Sequence, residues 1–204
     1  MKRREFFGAG MAGLGASFLA AEGRAFQFFP RPSKEKWAVI FGTWYGTARD
    51  AAVWISEGMG GMASVFDARQ GPDLKAYDHL VIGTAIQGGK GTKELEALIQ
   101  GNGSDVKLKT RALFAVCGNR GETPGPEQVK SYIDDYLAKL CGLESPLRRV
   151  FGGRITKGLL SEQDYKGLEG FHKSMNKPFV DYDHLSRLEC LGFGKEIRDK
   201  TLSR

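Results

Sequence analysis

The chain has 204 residues, 41% hydrophobic and 26% charged, which suits one globular domain with a real core and requires no second. Its 30 Lys plus Arg against 24 Asp plus Glu give a formal charge of +6, but the cations form neither a compact run nor a stripe interleaved with aromatics, which argues against a nucleic-acid partner. Cys117, Cys141 and Cys190 show no C-x-x-C or zinc spacing, and His79, His172 and His184 are scattered, so no metal site is expected.

The N-terminus reads as a targeting segment. Lys2, Arg3 and Arg4 precede Glu5, Phe6 and Phe7, followed by a small, moderately apolar run and small residues at Gly23 and Ala25. The pattern resembles a twin-arginine export signal in Arg3, Arg4, Phe6 and Phe7, with Lys2 and Gly8 departing from the favoured flanks. That resemblance implies passage through the twin-arginine translocase, a cofactor inserted before export, and a periplasmic protein. A plain secretory signal or an uncleaved anchor is the alternative. The apolar run is short for a membrane span, so cleavage is expected after Ala25, or after Ala21, removing residues 1–25. Those residues carry four cations and two acids, so the mature chain keeps +4. Gly8 to Gly13 spells G-x-G-x-x-G, yet no strand precedes it and it lies inside the leader, so it is no dinucleotide site.

Residues 26–36 hold Pro30 and Pro32 and read as an extended lead-in. Trp37 to Phe41 is a continuous apolar, β-branched run that predicts a strand. It breaks at Gly42 into a loop of small, hydroxyl and aromatic residues, Thr43, Trp44, Tyr45, Gly46 and Thr47. Ala48, Ala51, Ala52, Ile55 and Met59 then fall on one helical face. Strand, tight loop and helix make an anion site, because free backbone N–H groups and the positive end of the helix dipole face the loop. The Thr43 and Thr47 hydroxyls add hydrogen-bonding capacity for a phosphate.

Met62 to Ala68 predicts a second strand, Tyr77 to Gly83 a third buried on both faces, and Thr110 to Cys117 a fourth. Thr92 to Gln100 predicts a helix with Leu95, Leu98 and Ile99 inward. Pro126 opens another, with Val129, Ile133, Tyr136, Leu137 and Leu140 on one face and Gly142 as its stop. Arg149 to Ile155 predicts a fifth strand, and Asp183 to Asp199 a last helical stretch. Between them, about 156–181, lies a segment with Leu168, Phe171 and Met175 at helical spacing, read as a packing helix covering the sheet edge. Strands alternating with helices at this spacing imply right-handed crossovers and a parallel sheet with helices on both faces.

The stretch from Trp37 to Ile55 resembles the phosphate loop of the flavodoxins. Val39, Ile40, Phe41, Thr43, Gly46, Ala52 and Ile55 match the pattern. Ala48 stands where the family has a Thr whose hydroxyl helps hold the flavin phosphate, which leaves backbone N–H groups, Thr43 and Thr47 for that task. The resemblance extends over 37–200. Its YDHLVIGTAIQGGKG and LFAVCGNRGETPG stretches and its insertion look like the menaquinone-dependent protoporphyrinogen oxidase branch. It implies an α/β, flavodoxin-like three-layer sandwich with a five-stranded parallel sheet in the order 2-1-3-4-5, and ligands at the switch point outside strands 1, 3 and 4. The implied FMN site comprises Thr43 to Ala48, then Ala85, Ile86, Gln87, Gly88 and Gly89, then Cys117, Gly118, Asn119, Arg120 and Gly121.

The second and third loops contain no Phe, Tyr or Trp, so either Trp44 or Tyr45 stacks on the flavin, or its ring rests on backbone and Ile86. Lys90 and Arg120 would favour the negative charge of a reduced flavin, which predicts a potential above that of low-potential flavodoxins. In the inferred order Cys141 and Cys190 lie on opposite sheet faces, so no disulfide joins them, and Cys117 ends strand four beside the proposed flavin. The implied function is electron transfer to a redox protein or a quinone, the latter with membrane contact. A quinone-dependent flavin oxidase and a non-redox module that has lost FMN are the alternatives. No catalytic acid or base is nominated.

Overall fold

The computed structural model describes residues 27–28, 30–118, 124–144 and 146–202. The leader, and Asn119, Arg120 and Gly121 of the third loop, lie outside the described residues. Trp37–Gly42 (β1) is buried along its whole length, as its uninterrupted apolar run requires. It pairs in parallel with Ala63–Asp67 (β2) on one side and His79–Ile86 (β3) on the other. Thr110–Cys117 (β4) and Leu147–Gly152 (β5) complete the parallel sheet, in the expected order 2-1-3-4-5. The lead-in contributes a two-residue strand, Gln27–Phe28, antiparallel to the outer edge of β2.

Helices cover both faces. On one face lie Thr47–Gly58 (α1) and, from the C-terminus, Arg187–Leu202. The other face carries Lys93–Gly101 (α2), Gly103–Lys109 (α3) and a helix over 126–141 (α4), whose middle, Val129–Ala138, is π-wound. Alternate β1 side chains divide between two cores. Trp37, Val39 and Phe41 join the first with Ala48, Ile55 and Phe193, whereas Ala38 and Ile40 join the second with Leu95, Ile133 and Leu137. Cys190 lies in the first and Cys141 in the second, and both are free thiols. Between β5 and the last helix stands Glu162–Ser174 (α5), which makes the C-terminal helix α6.

Several boundaries differ from the sequence reading, each for a tertiary reason. β3 starts at His79 because Tyr77 still closes a turn on the Leu74 carbonyl, and it runs to Ile86 because Ala85 and Ile86 find ladder partners in Val116 and Cys117. β5 starts at Leu147, paired with Ala112, and carries two exposed arginines that find Asp134 and Glu196. It ends at Gly152 instead of Ile155. A Cβ on Gly153 would stand 2.7 Å from the Cys117 carbonyl, so the chain crosses the end of β4 there in close contact. Arg154–Ile155 then leaves the sheet and pairs antiparallel with Tyr182–Asp183, which holds the start of α6 back to Arg187. The helix α3 was not expected, since its seven residues bury only Val106.

The segment 156–181 does not cover the sheet edge. It stands over the carboxyl ends of the strands, where α5 reaches Tyr45 and Gln87, and α5 buries no residue. An amphipathic helix is expected to pack its apolar face on the sheet, but here Phe171 of that face is half exposed, and the segment's own ring contact is Tyr165 edge-on to Phe179 at 5.2 Å.

Helices α1 and α6 approach until backbone meets backbone. A Cβ on Gly194 would lie 2.1 Å from the Ile55 carbonyl oxygen and one on Gly58 2.2 Å from that of Leu191, whereas Gly192 faces open space. Gly194→Ala is therefore expected to lower the unfolding free energy by about 1–3 kcal/mol in urea melts, through overpacking. Gly192→Ala on the same helix should raise it by about 0.5–1 kcal/mol, through helix propensity alone. Equal effects at the two positions would contradict this packing.

Candidate functional site

Three loops emerge at the carboxyl ends of β1, β3 and β4, the place where open α/β sheets bind ligands. The first, after Gly42, turns directly into α1. Gly46 is the N-cap at φ 87°, in the left-handed region, and among the described residues no side-chain oxygen caps the first-turn amides of α1. The Thr43 hydroxyl accepts from the Gly46 N–H at 3.0 Å, so it fixes the shape of the loop from within. Thr47 is buried at the first helical position. Ala48 is fully buried in the first core, where its methyl offers no hydrogen bond. Trp44 is 39% exposed and Tyr45 is half-buried.

Two cations flank this first turn. Arg49 pairs with Asp50 at 2.8 Å, and Arg154 bridges Asp50 at 2.8 Å and Asp183 at 2.7 Å. Asp50, in the first turn itself, and Asp183 neutralise these two guanidinium groups, so the fit to an anionic group rests on the uncapped amides and the helix dipole.

The second loop is a tight turn. Gln87 and Lys90 exchange backbone hydrogen bonds of 2.9 and 3.1 Å, and Gly88 and Gly89 at φ 58° and 82° supply the left-handed conformations that a two-residue hairpin demands. Residues 87–90 are exposed, whereas Ala85 and Ile86 below them are half-buried. Lys90 therefore stands in solvent, where screening limits its effect on a neighbouring ring. Behind the turn, Tyr136 of α4 accepts from the Gly91 N–H at 2.9 Å and donates to Glu96 at 2.7 Å. Burial pushes the Tyr136 phenol well above its ordinary range, with the Glu96 bond adding to it, so it stays a donor. The buried Thr84 hydroxyl lies between the Ala85 carbonyl at 2.9 Å and the Thr92 amide at 3.3 Å.

The third loop begins at Cys117, which is buried, and Gly118. An aromatic ring does arrive here, from elsewhere in the chain. A Cβ on Gly118 would stand 2.6 Å from the Tyr182 hydroxyl, and Tyr182 stacks on His184 with centroids 4.7 Å apart. Burial and the neighbouring Cys117 raise the Tyr182 phenol.

Of the expected site residues, the structure brings together Thr43 to Ala48, Ala85 to Gly89, Cys117 and Gly118 at one end of the sheet. Sequence reading missed Tyr182, Arg154, Tyr136 and Asp164. Tyr136 is legible only as part of a helix face, and the other three carry no local signal, because each meets a partner remote in the chain. Asp164 accepts from the Tyr45 hydroxyl and, at 2.6 Å, from the Gln87 amide. The Tyr45 bond, with those from Ser161 and Gln87, holds its carboxyl below the usual carboxylate range.

The sequence model of a family described as "Flavodoxin domain" matches residues 38–177. No curated protein matches the chain in sequence. Among solved structures, the chain is similar to a flavodoxin from the domain Archaea, at 14% identity and TM-score 0.48, covering 82% of this chain and 99% of that one. It is similar to a flavodoxin, WrbA-like protein from Agrobacterium tumefaciens, at 13% identity and TM-score 0.47, covering 83% and 99%. A flavodoxin mutant from Fusobacterium nucleatum, bound to flavin mononucleotide, is similar at 12% identity and TM-score 0.43, covering 81% and 96%.

The site region carries a pH signature of its own. Burial raises the Cys117 thiol from its ordinary 9.0 to about 11, and those of Cys141 and Cys190 to about 12. A thiol whose folded value is raised contributes stability that is full below its unfolded value and lost as pH rises through the folded one. Unfolding free energy should therefore fall between pH 9.0 and about 12, with the Cys117 share complete by about 11, and Cys117→Ala should flatten the lower part of that slope in urea melts. A slope identical in the variant would contradict the burial of this thiol.

Proposed function

The chain belongs to the flavodoxin domain family, and from that premise we propose that it binds FMN non-covalently at the carboxyl ends of β1, β3 and β4 and passes electrons to a redox partner. The observation that carries this reading is the first turn of α1, uncapped by any side chain and entered through Gly46 in the left-handed region. The Thr47, Ala48 and Arg49 amides would take the phosphate and Thr43 would hold the loop around it, while Arg49 and Arg154 offset the Asp50 carboxylate beside the first turn. The Gln87–Lys90 turn and Cys117–Gly118 would flank the ring. Bound there, the flavin supplies one- and two-electron chemistry, and the protein's part is to hold, orient and desolvate it.

The N-terminal arginine pair supports export by the twin-arginine translocase and a periplasmic location. The electron partner is then a redox protein or a quinone, the latter reached at a membrane surface. A second reading, a quinone-dependent flavin oxidase resembling the protoporphyrinogen oxidase branch, draws support from the insertion, which contacts the first two loops and so stands where a small substrate would enter. Ala48, fully buried and without a hydroxyl, is the residue that favours a non-redox module instead.

An absorption spectrum of the folded protein, followed by FMN titration, separates the two flavin readings from the non-redox module. Flavin bands, or quenching of added FMN that saturates at one per chain, are expected. A colourless protein that leaves FMN fluorescence unchanged would overturn FMN binding. Thr43→Ala removes the hydroxyl that shapes the phosphate loop and should weaken FMN about tenfold, one hydrogen bond's worth.

A further inference from the structure

Residues 156–181 form a small assembly of their own. Not one of them is buried. They hold together internally: Tyr165 and His172 pack on Phe179 with centroids 5.2 and 5.1 Å away, and the Lys157 ammonium lies 5.3 Å from the Phe179 ring. The Lys157 amide donates to Asp181 at 3.0 Å, tying outgoing and returning chain. The base is the short ribbon of Arg154–Ile155 and Tyr182–Asp183, anchored through Arg154 to Asp50 and through the His184 amide to the Gly153 carbonyl at 3.0 Å.

At the far end the attachment is different in kind. Asp164, in the first turn of α5, accepts from the Tyr45 hydroxyl of the first loop and from the Gln87 amide of the second. The Tyr45 oxygen in turn accepts from the Ser161 N–H at 3.2 Å, beside the Ser161 cap on Asp164 at 3.1 Å. One carboxylate thus ties the segment to two loops that are 42 positions apart, counted from Tyr45 to Gln87. A unit with its own packing, a fixed narrow base and a polar catch opposite that base can open without exposing the core.

We infer that residues 156–181 are a hinged lid over the first and second loops, turning on the Arg154–Asp183 ribbon and latched closed at Asp164. The inference rests on the FMN reading for what the lid encloses. Closed, it joins the first loop to the second across the mouth of the crevice. Opening requires the Asp164 hydrogen bonds and the adjoining Ser161–Tyr45 bond to break, so cofactor or substrate would enter and leave through that event.

Hydrogen exchange on the full chain without added flavin tests the lid directly. In Asp164→Ala, amides of 157–181 should exchange about tenfold faster, while β1 and β4 keep the wild-type rate. Tyr45→Phe removes one donor without opening a cavity and should give the same pattern more weakly, which guards against loss of fold in the first variant. Unchanged exchange in both variants overturns the lid. Stopped-flow binding of FMN is the second readout: association and dissociation should both quicken about tenfold in Asp164→Ala, with Kd little altered. Faster exchange with unchanged FMN rates overturns the gate over this site. If wild type binds no FMN, the FMN reading fails, and the exchange comparison still decides whether the segment is a latched lid.

Discussion

Everything in this molecule hangs on β1 being buried on both faces. Six consecutive buried residues leave the strand no solvent side, so helices must cover it from both directions. Its alternate side chains seed the two cores, Trp37, Val39 and Phe41 toward α1 and α6, Ala38 and Ile40 toward α2 and α4. Because β2 and β3 flank β1 on opposite sides, the crossovers leave in opposite directions and open a crevice at its carboxyl end. The loop that enters α1 sits in that crevice by necessity. Site and fold are consequences of one strand's burial.

The loops are then held by few, specific polar contacts. Thr43 shapes the first loop from inside, and Tyr136 holds the back of the second through the Gly91 amide. Gly153 lets the chain pass against the start of the third. These contacts leave the first-turn amides of α1 free of any side-chain cap, which is the condition for taking an anion. Stability is spent on holding the loops' shape, and the hydrogen-bonding capacity left over is aimed at the crevice.

Periodicity in the sequence found the five parallel strands, the helices α1, α2 and α4, and the amphipathic segment that became α5. It did so because burial on both faces or on one stripe leaves a local pattern. It misplaced the start of β5 because Arg148, an exposed cation that pairs with Asp134, masks the strand's first two residues. It missed α3 because one buried side chain, Val106, makes no stripe.

The sequence by itself determined the fold family, the position of the loop that enters α1, and, through the strand order that the family resemblance implies, the separation of Cys141 from Cys190, since a strand–loop–helix motif and alternating buried strands are local patterns. Tertiary structure alone decided what surrounds the site. Tyr45 and Asp164 are separated by 119 positions and Gln87 and Asp164 by 77, and no spacing rule connects residues so far apart. Tyr182 reaches Gly118 only because the ribbon folds back across the end of β4. A single hydrogen bond between distant side chains leaves no periodic trace, whereas a buried strand leaves one at every residue.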